Sequence, residues 1–224
     1  MQHLGVFAKY WQPGCVKTRL ATSIGADNAA ALYREFVQQT LDRHKDSGDQ
    51  RAVFTWPPEQ ISNFQPILPE SWSIAAQIAG SLGERMLNYF QQTLVEGNVK
   101  SVLIGSDTPR LSPHLIAEAF EALETHPVVL GPSQDGGYYL VGMSESVVDI
   151  FAGVTWSTSL VFRQTVELLQ EKKLRWHELP LQNDIDDIED LNQLAAEIAS
   201  LPNPSAQDQA LQVAIKKFSH HEHE

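Results

Sequence analysis

Strand signals and helix signals alternate along this chain of 224 residues, and that alternation limits its fold more than any other feature. The runs "HLGVFAK" (3–9), "RAVFTW" (51–56), "SWSIAAQ" (71–77) and "KSVLIGS" (100–106) read as strands, as do "PVVLGP" (127–132), "GYYLVGM" (137–143) and "RWHELP" (175–180). Amphipathic stretches lie between them. Residues 29–41 carry a stripe of Leu32, Phe36, Val37 and Leu41, and residues 81–94 one of Leu82, Met86, Phe90 and Leu94. Ser112 and Pro113 open a helix with proline at its favoured first position, and further helices are expected near 158–171 and 187–200. Such alternation predicts an α/β fold, a mostly parallel sheet flanked by helices on both faces. No internal repeat or linker divides the chain. One domain is expected over residues 1–200, followed past Pro202 and Pro204 by a weak helix and a polar tail within 201–224.

The net charge of −12 argues against nonspecific binding to nucleic acid, which needs a basic surface to neutralise phosphates. An acidic protein that takes a phosphorylated ligand must gather its few cations locally or recruit a metal. The one cysteine, Cys15, excludes an internal disulfide. No signal peptide is evident and no apolar run approaches the ~20 residues of a membrane span, so a cytoplasmic chain is the economical expectation. The tail "HHEHE" reads as a solvated end rather than a transition-metal site. A homodimer is open to a chain of this kind, although no interface is legible.

"PGCVKTRL" (13–20) follows the first strand and has the look of a phosphate-binding loop. It is not a Walker A loop, because Val16 rather than glycine precedes Lys17, and Gly14 stands three residues before that lysine. The position after β-strand one is nevertheless where open α/β sheets place ligand crevices. Lys17 would supply a point charge and Arg19 a planar fork, a useful pairing on a pyrophosphate.

Acidic residues cluster in two further places. "IGSDTP" (104–109) puts Asp107 just past a buried strand, where a carboxylate can hold Mg²⁺ or Mn²⁺ together with ligand phosphates. In "NDIDDIEDL" (183–191), alternation puts Asp184 and Asp186 on one face, while Asp186 with Glu189 also has the spacing of a helix capping box. "SQDGGYYL" (133–140) joins Asp135 to two glycines, either for close backbone approach to a ligand or for a tight turn. Ser81 and Glu84 in "QIAGSLGER" (77–85) have capping-box spacing too.

Together "PGCVKTRL", "GSLGERM", "IGSDTP", "GPSQDGGYYLVGM", "WSTSLV" and "DIDDIEDL" resemble, in order, the motifs of the bacterial DUF2064 family, glycosyltransferase-like proteins associated with radical-SAM/selenodomain proteins. The resemblance covers roughly residues 3 to 200. It implies the GT-A fold of nucleotide-diphospho-sugar transferases. By that resemblance Gly14, Lys17 and Arg19 would hold the nucleotide's phosphates, and Gln77, Gly80 and Gly83 would lie by the base. Asp107 would be the metal-binding aspartate, with Asp186 or Asp184 the second carboxylate. Asp135, Gly136, Gly137 and Tyr138 would line the sugar or acceptor side, bordered by Trp156 and Ser157. Ser81 stands where the family pattern has aspartate, which removes a charge beside the base.

Two transfer reactions follow as expectations. One moves a sugar from a nucleotide-diphospho-sugar with metal assistance, Asp135 being the candidate base. The other joins a nucleoside triphosphate to a sugar phosphate or phospho-acid and calls for more cations, for which Arg85 and Arg110 are candidates. A nucleotide-binding module without turnover is the third alternative.

Overall fold

Period-2 alternation sets the first strand's two faces. Leu4, Val6 and Ala8 enter one core, and Phe7 packs against the other. In the computed structural model, which describes residues 1–94 and 99–219, this strand is β1 (Gln2–Lys9). The tail motif "HHEHE" lies outside the described residues. Beside β1 stand β2 (Gln50–Trp56), β3 (Ser73–Ala76), β4 (Lys100–Ile104), β5 (Val128–Pro132), β6 (Tyr138–Ser144) and β7 (Trp176–Glu178). Among the described residues these form a seven-stranded sheet in the order β3-β2-β1-β4-β6-β5-β7. All neighbours are parallel except β6, which runs antiparallel to β4 and β5. Only the turn 133–137 separates β5 from β6, too little chain for a parallel crossover, so a hairpin forms.

Helices cover both faces of this GT-A-like sheet. On one lie α1 (Thr18–Ile24), α2 (Ala26–Arg43) and α4 (Pro113–Ala122), with α6 (Ile188–Ser200) and α7 (Ala206–Ser219). They bury Leu20, Leu32, Phe36, Phe120, Leu191 and Leu211 in one core that includes Leu4 and Val6 of β1. On the other face α3 (Leu82–Thr93) and α5 (Val161–Glu171) bury Met86, Tyr89, Phe90 and Leu169. Gly5 sits under Tyr89, and a Cβ there would come within 2.4 Å of the ring. The absence of a side chain on β1 is what lets Tyr89 reach across the sheet and donate to the Val102 carbonyl at 2.8 Å.

Several boundaries differ from the sequence expectations. The helix expected at 29–41 begins at Ala26, and a separate two-turn helix, α1, precedes it across Gly25 (φ 83°). A 3-10 segment at Pro58–Ile67 also had no periodic signal. Ser81 caps α3 with Glu84 as expected, and Ser112 caps α4. The capping box before α6 is formed by Asp187 and Asp190, not by Asp186 and Glu189. That one-residue offset frees Asp186 for other partners.

The C-terminal helix is anchored by charge as well as by Leu211 and Ile215. The Asp208 carboxylate accepts hydrogen bonds from Arg43 (3.0 Å), Arg110 (3.1 Å) and the Ser205 hydroxyl (2.7 Å). Among the described residues no helix is long and apolar enough to cross a membrane.

His44, at the C-terminal end of α2, is buried, and burial pushes its pKa down to about 3, with Arg43 adding to the effect. Burial likewise lowers His3 to about 4. Both stay neutral in the folded chain while the unfolded chain binds protons below its ordinary value near 6.5, so stability is full above that pH and falls as pH drops toward 4. Denaturant unfolding at pH 7 and pH 5 is expected to show a loss on the order of 2 kcal/mol from His44. The His44→Gln variant should have a visibly flatter pH dependence. An unchanged slope would contradict the burial account.

Candidate active site

The carboxyl ends of β1 and β4 lie side by side, and antiparallel β6 brings its first residue, Tyr138, to the same edge of the sheet. An open cleft of about 780 Å³ occupies that edge. Its floor is tied together by Tyr33 of α2. The Tyr33 hydroxyl accepts from the Lys9 backbone N–H at 3.0 Å and hydrogen-bonds the Ser106 hydroxyl at 2.8 Å, joining the ends of β1 and β4. Burial, reinforced by the negative charge of Asp107, pushes its pKa up to about 12.

The loop after β1 turns sharply at Lys17, whose backbone is left-handed (φ 45°, ψ 46°). This conformation is uncommon for a residue with a side chain. Here it accompanies a lysine that points inward, with a side chain only 3% exposed. The ammonium lies 5.9 Å from the Tyr33 ring centroid, 3.2 Å from Asp186 Oδ1, and in an ion pair with Asp107. Burial works against its charge, but the attraction of Asp107 and Asp186 outweighs it and holds the pKa above the ordinary lysine value. Arg19, exposed at the mouth, pairs with Asp186 Oδ2. Asp184 sits deeper and accepts from the Thr108 hydroxyl at 2.5 Å. Burial raises its pKa to about 6, with the neighbouring Asp107 contributing in the same direction and Thr108 opposing.

The opposite walls come from the β5–β6 turn and from α3. Asp135 Oδ1 accepts from the Ser133 hydroxyl (2.5 Å) and the Gly137 N–H (2.8 Å), so this carboxylate shapes the turn it belongs to. Gln77 is buried and donates to the Phe54 carbonyl at 2.7 Å, while its own oxygen accepts from Arg85 at 3.2 Å. The Arg85 guanidinium lies 4.7 Å from the Trp56 ring centroid, a cation–π contact that fixes it at the β3 side of the cleft. Trp156 meets Tyr138 edge-on, with ring centroids 6.4 Å apart.

Of the residues singled out from the sequence, Lys17, Arg19, Gln77, Asp107, Asp135 and Asp186 line the cleft, as do Gly137, Tyr138, Trp156 and Ser157. Asp184 joins them. Gly14, Gly80, Gly83 and Gly136 are not on its lining. Gly83 lies beneath Trp156, where a Cβ would come within 2.9 Å of the indole. Gly136 (φ 86°) leaves room for the Ser159 carbonyl, 2.3 Å from where a Cβ would be. Arg110 also proves absent, since it is committed to Asp208 and Glu197. Arg85 does line the cleft, and Tyr33, Ser106, Ser133 and Thr158 are among the further polar residues on its lining that had not been singled out. Tyr33 lies inside the helical stretch 29–41 but outside its stripe of Leu32, Phe36, Val37 and Leu41, and its contact with Lys9 spans 24 positions of sequence.

A divalent cation fits this chemistry. Two carboxylates, Asp107 and Asp186, converge on a single positive group, the Lys17 ammonium, which is a stand-in ion for a cation. Among the described residues no three His, Cys, Asp or Glu side chains form a ready-made cage. Mg²⁺ is commonly held by one or two carboxylates and completed by substrate phosphates.

Fold and cleft together define a protein with the nucleotide-diphospho-sugar transferase architecture. The chain belongs to the DUF2064 family, whose model, described as "Uncharacterized protein conserved in bacteria", matches residues 24–158. A candidate nucleotide-diphospho-sugar transferase from Desulfovibrio desulfuricans G20 is 32% identical over 97% of both chains, with a TM-score of 0.87. CMP:2-keto-3-deoxy-manno-octonic acid synthetase, solved with CTP, shares the fold at a TM-score of 0.57. It is 12% identical over 88% of this chain and 98% of its own. Rv0371c of Mycobacterium tuberculosis H37Rv, solved with manganese, does so at 0.51, with 16% identity over 86% of this chain and 97% of its own. No curated protein matches the chain.

Proposed function

We propose that this protein is a metal-assisted glycosyltransferase using a nucleotide-diphospho-sugar donor. The enzyme is a transferase by its fold and family likeness. The observation that carries the reading is the cluster of Lys17 and Arg19 with Asp107, Asp184 and Asp186 at the carboxyl edge of the sheet. Lys17 and Arg19 would donate to the diphosphate oxygens, the lysine as a point charge and the arginine as a fork. Mg²⁺ or Mn²⁺ held by Asp107 and Asp186 would neutralise charge on the departing nucleoside diphosphate. Gln77 and Arg85 would face the base, on a wall shaped by Gly80 and Gly83, while Gly14 gives the phosphate loop its turn. Gly136, Gly137, Tyr138, Trp156 and Ser157 would border sugar and acceptor. An acceptor oxygen would attack the anomeric carbon as its bond to the diphosphate breaks, and Asp135 would take the acceptor's proton.

Nucleotidyl transfer is the second reading, and Arg85 favours it by adding a guanidinium to the charges of Lys17 and Arg19 in the cleft. Attack on an α-phosphorus of a triphosphate would use that extra charge. The manganese and CTP found with fold relatives are compatible with either chemistry. An intracellular setting is proposed on the same footing, and a homodimer remains compatible with it.

Thermal unfolding with Mg²⁺ or Mn²⁺ against a panel of nucleotide sugars and free triphosphates separates the two. A ligand at 100 times its dissociation constant adds about 2.7 kcal/mol, a rise of several degrees for a chain this size. A metal-dependent shift with one diphospho-sugar and not with its triphosphate is the expected result. A shift with a triphosphate alone would move the assignment to nucleotidyl transfer.

A further inference from the structure

Taking the metal site proposed above as given, we infer that Lys17 is a built-in occupant of that site. The lysine and the divalent cation exclude one another at the Asp107–Asp186 pair, and the cation enters fully only when the ammonium leaves for a phosphate. The two carboxylates share the ammonium, which also lies 5.9 Å from the Tyr33 ring centroid on a side chain only 3% exposed. Both oxygens of Asp186 are taken, Oδ1 by Lys17 and Oδ2 by Arg19. A metal ion bound at either oxygen would lie against the ammonium or the guanidinium, and repulsion between like charges favours displacement of one of these side chains. Arg19 is largely exposed and can swing into solvent, whereas Lys17 is enclosed and needs another anion to replace the two it gives up. A diphosphate supplies one.

The local charge points the same way. Asp107, Asp184 and Asp186 carry three negative charges when ionised, and Lys17 and Arg19 return two. The metal-free cluster is therefore nearly balanced and holds a cation weakly. Moving Lys17 onto phosphate unmasks the carboxylates, so metal and nucleotide strengthen each other's binding by the same factor. This arrangement would keep the empty enzyme from holding a metal in its donor site.

The direct test titrates Mn²⁺ alone, with no nucleotide, into the full chain and its Lys17→Met and Arg19→Met variants, reading free Mn²⁺ by electron paramagnetic resonance. Lys17→Met is expected to bind Mn²⁺ on the order of tenfold or more tightly than wild type, since a unit charge a few ångströms away is removed. Arg19→Met should gain much less. Equal gains in both variants, or none in Lys17→Met, would overturn the inference. A second measurement needs no variant. At Mn²⁺ concentrations that the first titration shows to fill the wild-type site, acetylation of Lys17 in the wild-type chain, read by mass spectrometry, should rise several-fold, because a filled site and the ammonium on the same two carboxylates exclude one another. Unchanged or reduced labelling would overturn the inference even if Lys17→Met failed to fold. Neither measurement contains a nucleotide, so failure of the nucleotide panel would count against the transferase reading and leave both results interpretable.

Discussion

Asp107→Asn is expected to reduce turnover by about 10²–10³-fold while leaving the protein folded. The magnitude is that of losing one preorganised charge-stabilising group from an active site. The fold should survive because Asp107 lies at a strand end with its side chain 46% exposed, and Lys17 retains Asp186 as a partner. Steady-state rates with the donor identified by thermal shift measure the effect, and a circular dichroism melt checks the fold. A variant with wild-type turnover would remove Asp107 from the chemistry. Retained nucleotide binding with no turnover in the wild type would instead indicate a binding module.

The largest stability effect is expected far from the cleft. Asp208→Ala removes a carboxylate only 8% exposed that is shared by Arg43 and Arg110, themselves partly buried. Deleting one partner of a buried ion pair leaves charge uncompensated at a cost of about 3–5 kcal/mol. It also removes the bonds from the Ser205 backbone and hydroxyl that begin α7. The melting temperature should fall by roughly 10 °C. Arg110→Ala, which leaves Arg43 in place, should cost much less. If Asp208→Ala melted with the wild type, α7 would have to be held by Leu211, Ala214 and Ile215 alone.

This anchor marks where the sequence became opaque. Residues past Pro204 carry a weak apolar stripe, and nothing local announces that an aspartate in it meets arginines 165 and 98 positions earlier. The long stripes of α2, α3 and α4 were legible because periodic burial is a local signal. The two turns of α1 were not, since a seven-residue helix burying only Leu20 and Ile24 leaves no period to detect. The capping pair before α6 was misplaced by one residue because an aspartate run offers the same three-residue spacing in two registers.

The site was legible to the extent that strand ends define it. Lys17 follows β1 and Asp107 follows β4, and those two strands are neighbours in the sheet, so local positions became a shared location. Asp135 joined them because a hairpin too short to cross over returned β6 to the same edge. The contacts that set the cleft's character cross between elements and left no trace in sequence. Tyr33 bridges two strand ends, Arg85 lies against Trp56, and Lys17 turns inward through a left-handed backbone. The glycines were recognised as special residues, but Gly83 and Gly136 make room for Trp156 and Ser159 rather than lining the cleft themselves.

The most direct test of a nucleotide cradle completed by a metal is calorimetric titration of the responding nucleotide into wild type and Asp107→Asn, with and without Mg²⁺. Mg²⁺ is expected to tighten binding to the wild type by on the order of tenfold, about 1.4 kcal/mol, and to do little for Asp107→Asn. Equal affinity in the wild type with and without Mg²⁺, or no binding of any nucleotide, would contradict the account.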